Sequence, residues 1–359
     1  MTEPLTVVAG LDRRGKHGAP WYDCPFRIGC LHRVQNMLPS PPPRDSHMGF
    51  LYLPPFRVQG ISVAGEEAVV QLPELDVAFD IGLCPRPVLS SKTIALSHAH
   101  MDHIAGLPYW FSQRSFQQQP PGRVVCHHAI AGAIDRMMQS WVDLEQQRTP
   151  YEVVSLAPGQ STPLGRDREL HAIEVPHTVP ALGYCVTERR RKLRPEFANI
   201  PSSQIRALRE RGEEITHDVE IPLVAYTGDT APGDHLLQDG FKRAKILVVE
   251  CTFFLAEHYD RAGKGKHLHI RDIERYLGHW EAEDVVLVHL SRRTPLPLAR
   301  EVVADVAQGR RVHLLMDGRT NRARYDAQLA AAGQPKESRS AEPTEAPAES
   351  AAEAPAGTE

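Results

Sequence analysis

The chain has 359 residues, 42% of them hydrophobic and 24% charged, and a net charge of -4. This composition is ordinary for a globular protein with a sizeable core, and it excludes a globally basic nucleic-acid-binding protein, so any basic surface must be local. No run of 18 or more apolar residues occurs, which predicts no membrane partner. Six scattered cysteines without a CxxC pair predict reduced thiols and a cytoplasmic location.

The two ends of the chain differ in pattern from its middle. Residues 1–47 lack any helical or strand period, so we expect an irregular N-terminal extension, with Met48 as an alternative start of the chain. Regular patterning begins there, and one folded domain is predicted over residues 48–330. Residues 331–359 are rich in Pro, Ala and Glu and predict a disordered tail.

Between these ends, short β-branched apolar runs alternate with helical patterns, which predicts an α/β fold. Five runs predict strands buried on both faces: LDVAFDIG, KTIALSH, IPLVAYTGD, AKILVVECTF and DVVLVHLS. Three predict helices: HAIAGAIDRMMQSWVDLEQ, SSQIRALRERG and IRDIERYLGHW. In the second helix, Ser202 or Ser203 is expected as the N-cap and Gly212 as the stop.

Polar residues follow nearly every predicted strand within about one residue. Loops at the ends of strands in a rigid sheet are where functional sites are assembled. These residues are Asp80, His98, Asp229, Glu250 and His289.

The stretch SHAHMDH crowds His98, His100, Asp102 and His103 together after one strand. Imidazole nitrogen and carboxylate oxygen are ligands of zinc and similar metals. Alternate side chains of an extended segment share a face, so His98 and His100 should point together, whereas His103 should open the next helix. The spacing favours two metals, the first held by the first two histidines and the second by Asp102 and His103. The alternative is a set of ordinary surface or core histidines.

This motif resembles that of the metallo-β-lactamase superfamily, and the resemblance spans about residues 55–320. It implies a four-layered αββα sandwich with a dinuclear site at one edge. It also implies that Asp80 holds the motif loop in place. One metal would then be held by His98, His100, His177 and Asp229, and the other by Asp102, His103, Asp229 and His289. Histidine rather than glutamate at position 100 favours two zinc ions per chain, with manganese as the alternative.

Within that superfamily, the chain is most similar to the short, plant-type ribonuclease Z. The segment HTVPALGY has Gly-Tyr where lactamases have Gly-His, and KHLHIRDI precedes the last ligand as in ribonuclease Z. The resemblance implies a hydrolase that removes the 3′ trailer of precursor tRNA by attack of a metal-held hydroxide. Asp102 would accept the water proton, His267 would be the general acid, and Glu250 would orient it. His269 is the alternative acid.

The resemblance further implies a short inserted basic arm at about residues 187–220 that grips tRNA, and a homodimer. The arm holds a basic window of Arg189, Arg190, Arg191, Lys192 and Arg194. Arg293 would lie at the substrate end of the site, although Thr294 follows it where the family has tyrosine. Two other hypotheses for the function compete with that of a tRNA-processing nuclease. One is a phosphodiesterase or small-ester hydrolase that does not act on tRNA, and the other is a metal-stabilised RNA-binding scaffold without activity.

Overall fold

A computed structural model describes residues 39–333 of the chain. Most of the predicted N-terminal extension and nearly all of the predicted tail lie outside these residues. Within them, the first strand begins at Gly49 and the last helix ends at Ala331. No helix in this part of the chain is long and apolar enough to cross a membrane.

The first seven strands form one mixed sheet in chain order. The first four are antiparallel neighbours, and the pairings from the fourth strand to the seventh are parallel. The strands are β1 (Gly49–Leu53), β2 (Phe56–Val63), β3 (Glu67–Leu72), β4 (Val77–Phe79), β5 (Thr93–Ala95), β6 (Gly122–His127) and β7 (Tyr151–Leu156).

The other seven strands form a second mixed sheet, also in chain order, antiparallel up to β11 and parallel from β11 to β14. These are β8 (Ser161–Pro163), β9 (Arg168–Glu174), β10 (Leu182–Leu193), β11 (Thr216–Tyr226), β12 (Ile246–Glu250), β13 (Asp284–Val288) and β14 (Val312–Leu314). The five predicted buried strands are confirmed as β4, β5, β11, β12 and β13.

Nine α-helices occur in the described part of the chain. They are α1 (Met101–Ile104), α2 (Leu107–Phe116), α3 (His128–Glu145), α4 (Ser202–Glu210), α5 (Asp239–Lys242), α6 (Tyr259–Gly265), α7 (Ile270–Leu277), α8 (Leu296–Ala307) and α9 (Gly318–Ala331). The three predicted helices are confirmed as α3, α4 and α7.

Two local predictions about these helices are wrong. The N-cap of α4 is Pro201 and no side chain caps this end, because Ser202 and Ser203 are already helical. His103 does not open a long helix but lies inside the single turn α1, and α2 begins separately at Leu107. The predicted stop of α4 is correct, since Gly212 follows it with a φ of +78°.

The two sheets face each other across a core of buried side chains from both, such as Phe79, Tyr184 and Val286. A second apolar cluster, which includes the fully buried Trp110, packs the helices α1–α3 against the first sheet. A third packs α5, α7 and α8 against the second sheet. These layers confirm the predicted αββα sandwich.

The parallel strands of both sheets place their carboxyl ends at one edge of the sandwich. Asp80 directly follows β4, Glu250 is the last residue of β12, and His289 directly follows β13. The sheets are joined at this edge, where the backbone N–H of Ala64 donates to the carbonyl of Leu290 at 3.3 Å. Residues from distant segments therefore meet there.

Candidate metal centre

The histidine-rich loop presents its first two histidines toward a third from the second sheet. Between β5 and α1 the chain forms no helix or turn, and His100, the N-cap of α1, has an extended backbone. The Nε2 of His98 lies 2.9 Å from the Nδ1 of His100, which is 3.3 Å from the Nε2 of His177. These three nitrogens form the first group of potential metal ligands.

A second group of potential metal ligands consists of two histidines and two carboxylates: His103, His289, Asp102 and Asp229. The Nε2 of His103 lies 3.3 Å from the Nε2 of His289 and 3.3 Å from the Oδ2 of Asp229. The Oδ2 of Asp102 lies 3.6 Å from the Nε2 of His289 and 3.7 Å from that of His103. The Oδ2 of Asp229 is also 3.9 Å from the Nε2 of His98, so this carboxylate reaches both groups.

The spacing of these atoms fits metal coordination. Ligand atoms at the usual zinc distances in a tetrahedral site lie about 3.3 Å from one another, close to most separations in both groups. All donors are imidazole nitrogens or carboxylate oxygens, which suit borderline divalent cations. Burial lowers the pKa of His98 well below its usual value, which favours the neutral imidazole that metals bind.

The ring nitrogens that face away from these groups have their own acceptors. Because each outer nitrogen donates a hydrogen bond, the inner nitrogen is left unprotonated for a metal. The pairs are His103 with Asp80 at 2.8 Å, His98 with Ser97 at 3.0 Å, His289 with Thr252 at 3.0 Å, and His177 with the carbonyl of Lys266 at 3.2 Å. Sequence reasoning missed Ser97, Thr252 and Lys266, although each lies within two residues of a residue that it singled out.

Asp80 is fully buried and lies behind the histidine loop. The carboxylate of Asp80 accepts a hydrogen bond from His103 and three others. The donors are the backbone N–H of Ser97 at 2.6 Å, the hydroxyl of Ser97 at 2.8 Å and the hydroxyl of Tyr226 at 2.6 Å. Asp80 therefore holds the histidine loop and the imidazole ring of His103 in place. Its carboxylate does not face the ring nitrogens that could bind a metal.

His267 lies next to the second group and is held by a buried carboxylate. Its Nδ1 is 3.1 Å from the Oε1 of Glu250, which also accepts the backbone N–H of Thr230 at 2.7 Å. Burial alone would lower the pKa of His267, but the carboxylate of Glu250 and then that of Asp229 outweigh it and raise the pKa to about 9. Cations bound beside this ring would lower that pKa again by charge repulsion.

His269, the alternative acid, has a structural role instead. It is the N-cap of α7, and its Nδ1 accepts the backbone N–H of Arg271 at 3.2 Å. Its Nε2 donates to the carbonyl of Leu255 at 3.0 Å. Both ring nitrogens are occupied and the residue is 1% exposed, so it has no nitrogen to offer a substrate.

A cavity of about 480 Å³ opens above the two groups. His100, Asp102 and His267 line it, and so does Arg293. The neighbouring Arg292 does not, because its guanidinium is paired with Glu66. Thr294 is buried, so this residue lies in the protein interior rather than in the cavity.

Comparison with known proteins places this site in a family. The model of the β-lactamase superfamily domain matches residues 84–290, which include all seven candidate metal ligands. The chain is 31% identical over 255 residues to the chloroplastic tRNase Z TRZ2 of Arabidopsis thaliana, covering 69% of this chain and 71% of that protein. It is 31% identical over 245 residues to tRNase Z TRZ1 of the same plant, covering 66% and 86%.

The chain belongs to the ribonuclease Z family of the metallo-β-lactamase superfamily. The family resemblance read from the sequence is thereby confirmed. A solved structure of the short form of human tRNase Z is also similar, with 18% identity and a TM-score of 0.47, covering 68% of this chain and 93% of that one.

In this ribonuclease Z chain, the inserted segment is a ribbon that extends beyond the second sheet. Past the pair Glu188 and Arg168, strand β10 loses its neighbour β9 and pairs only with β11, from Arg189 to Leu193. The helix α4, at the end of the ribbon, has no buried residue. None of the five cations of the basic window lines the cavity above the metal groups.

The arm of this ribonuclease Z chain is close to neutral as a whole. Residues 187–220 hold eight Lys and Arg but also seven Asp and Glu. Three cations of the basic window are paired with these acids: Arg190 with Glu188, Arg191 with Asp218 at 3.8 Å, and Arg194 with Glu214 at 3.0 Å. The window therefore presents less free charge than its sequence indicates.

Proposed function

We propose that this protein is a metal-dependent endoribonuclease that removes the 3′ trailer from precursor tRNA and leaves a 3′-hydroxyl on the tRNA. The observation that carries this proposal is the identity of 31% to two plant tRNase Z proteins over two thirds or more of their length. The pair of His267 and Glu250 beside the two metal groups supports it, because hydrolysis of a phosphodiester needs an acid for the leaving oxygen.

We further propose that the site holds two zinc ions, with manganese as the alternative. The first group would hold one ion and the second group the other, with Asp229 shared between them. The all-nitrogen-and-oxygen donor set supports zinc or manganese. When bound, such a pair supplies Lewis acidity toward the phosphate and lowers the pKa of a water molecule.

The residues of the chain would handle the two protons of the reaction. Asp102 would accept a proton from the attacking water, and its Oδ2 is held in place by the backbone N–H of Gly65 at 2.8 Å. The water oxygen forms a bond to phosphorus as the bond to the ribose 3′-oxygen breaks. His267 would donate a proton to that oxygen through Nε2, because its Nδ1 faces Glu250. The phosphate then stays on the trailer.

The remaining features of the proposal concern partners, location and domain limits. Precursor tRNA is the proposed substrate. The side chains proposed to contact it are Arg293 and the five cations of the basic window, Arg189, Arg190, Arg191, Lys192 and Arg194. We also propose a homodimer, a catalytic domain over residues 48–330 and a cytoplasmic location. The four cysteines in the described part of the chain are buried free thiols, a state that supports a reducing compartment.

A cleavage assay paired with metal analysis tests the proposal. Purified protein with quantified metal is incubated with end-labelled precursor tRNA, and the ends of the products are mapped. We expect a single cut after the discriminator nucleotide, which is lost on chelation and restored by zinc. Asp102→Ala should lose both cleavage and part of the metal. Hydrolysis of bis-p-nitrophenyl phosphate without any cut in tRNA would refute the proposal in favour of a small-ester phosphodiesterase.

A further inference from the structure

The cavity above the metal groups has cations on its rim that no sequence motif indicated. Arg261 and Lys264 of α6 line this cavity together with Asp102 and His267. They are three residues apart, which places them on the same face of the helix. Both side chains are exposed to solvent.

The charges of these two side chains are available to a ligand. Within residues 39–333, no carboxylate lies within 4.0 Å of the charged groups of Arg261, Lys264 or Arg293, whereas Arg190, Arg191 and Arg194 of the arm each have an acidic partner. An unpaired cation beside a catalytic cavity is available to neutralise a phosphate without first breaking an ion pair. The rim of the cavity is thus a better phosphate site than the paired part of the arm.

Helix α6 is tied to the proposed acid and to a metal ligand. The backbone N–H of His267 donates to the carbonyl of Ala262 at 3.0 Å. Lys266 ends the helix, its Nζ donates to the carbonyl of His177 at 2.7 Å, and its own carbonyl accepts the Nδ1 of that histidine. The backbone of α6, and with it the Cα positions of Arg261 and Lys264, is therefore held in place relative to the proton donor.

We infer that Arg261 and Lys264 bind phosphate groups of the tRNA body, on the 5′ side of the bond that is cut. This inference rests on the proposed function. In that reaction, His267 gives its proton to the 3′-oxygen, which remains with the tRNA. Apart from the scissile phosphate itself, the phosphates on the His267 side of the cut bond therefore belong to the last nucleotides of the acceptor stem rather than to the trailer. These contacts add affinity without reading sequence.

The test compares Arg261→Gln/Lys264→Gln with a matched loss of two charges elsewhere. Arg136→Gln/Arg319→Gln is the control, because both arginines are exposed and neither lines the cavity. Dissociation constants are measured for precursor tRNA, for mature tRNA without trailer and for a free trailer oligonucleotide, over a series of salt concentrations. Metal content and thermal unfolding are measured for each variant, to verify that it is folded and loaded.

For the rim variant, we expect binding of precursor and mature tRNA to weaken by the same factor, roughly 10- to 100-fold for two charge-assisted contacts. The slope of log affinity against log salt should fall by about 1.5 to 2. Trailer binding and the control variant should stay at the wild-type value. The swapped variant Arg261→Lys/Lys264→Arg keeps both charges and should bind nearly as well as the wild type.

Three results overturn the inference while the wild type still cuts precursor tRNA. The first is wild-type affinity and salt slope in the rim variant. The second is a loss confined to the trailer oligonucleotide, which would place the contacts on the 3′ side. The third is an equal loss in the swapped variant, which would mean that charge is not what these residues contribute. If the wild type does not cut precursor tRNA, the proposed function fails first and the inference fails with it.

Discussion

Asp80→Asn tests whether the network behind His103 supports metal binding. The Oδ2 of Asp80 accepts three hydrogen bonds, from His103, the hydroxyl of Ser97 and Tyr226, and the Oδ1 accepts the backbone N–H of Ser97. The side-chain amide of asparagine has one oxygen, which can replace either Oδ1 or Oδ2 of the aspartate, and its NH2 group must occupy the other position. In its better orientation the amide nitrogen faces the N–H of Ser97, so that two donors meet in a site that is 0% exposed.

The magnitude follows from these contacts. One buried donor without an acceptor costs about 1–3 kcal/mol, so the free energy of unfolding of the metal-free protein should fall by about that amount. The negative charge that increases the basicity of His103 is also lost. Removing such an outer partner of a ligand typically weakens metal binding about 10- to 100-fold. We expect this loss in the group formed by Asp102, His103, Asp229 and His289, and a smaller loss in the other group.

The assay is chelator competition for zinc combined with urea unfolding of the metal-free protein. Tyr226→Phe is the matched control, because it removes one hydrogen bond to the same carboxylate and keeps the charge. It should cost about 1 kcal/mol of stability and change zinc affinity only a few-fold. Wild-type zinc affinity in folded Asp80→Asn would refute the reasoning that this carboxylate tunes its histidine.

Three further predictions concern other parts of the site. His267→Ala should abolish cleavage of precursor tRNA at wild-type metal content, whereas His269→Ala should keep cleavage and lose only about 1 kcal/mol of helix capping. Cleavage by His267→Ala would remove this residue from the mechanism. Burial lowers the pKa of His235 from 6.5 to about 4, so the unfolded chain takes up a proton that the folded chain resists. Stability should therefore fall as pH drops from about 6.5 toward 4, by about 1–2 kcal/mol after allowance for partial exposure. Urea unfolding of His235→Gln should show a pH dependence that is smaller by this amount, because other buried histidines also contribute to the slope. Gly82→Ala places a Cβ 2.2 Å from the carbonyl oxygen of Asp102, so it should lower the free energy of unfolding by about 2 kcal/mol and weaken metal binding; unchanged urea unfolding would contradict this.

Residues that follow buried strands could be predicted from the sequence because both signals are local. An apolar β-branched run marks a strand, and the polar residue at its end marks the edge of the sheet. Asp80, Glu250 and His289 are found in this way, without knowledge of which strands are neighbours. Their convergence follows from the parallel pairing of β4–β7 in one sheet and β11–β14 in the other. The family resemblance implied this arrangement, and the strand patterns alone did not.

The supporting residues could not be found by such patterns, because their roles depend on distances between segments. Ser97 and Thr252 are small polar residues whose hydroxyls each accept from one histidine and donate to one carboxylate. Nothing in their own sequence context separates them from other hydroxyl residues. His269 illustrates the opposite difficulty: its spacing from His267 suggested shared chemistry, but the backbone turns into α7 at this residue and uses its ring as a cap.

The charge of the arm depends on strand register, which a window of sequence does not contain. Arg191 faces Asp218 only because β10 and β11 pair in one particular register, 27 positions apart in the chain. A shift of the register by one residue would turn that carboxylate to the other face of the ribbon. Four consecutive cations thus indicate a basic surface only when the strand opposite is known. In contrast, Arg261 and Lys264 are separated by two small residues and do not form a run of charge in the sequence. Both nevertheless line the cavity beside the reacting groups and have no acidic partner among residues 39–333. Free charge at a site is therefore better judged from ion-pair partners than from the density of Lys and Arg along the chain.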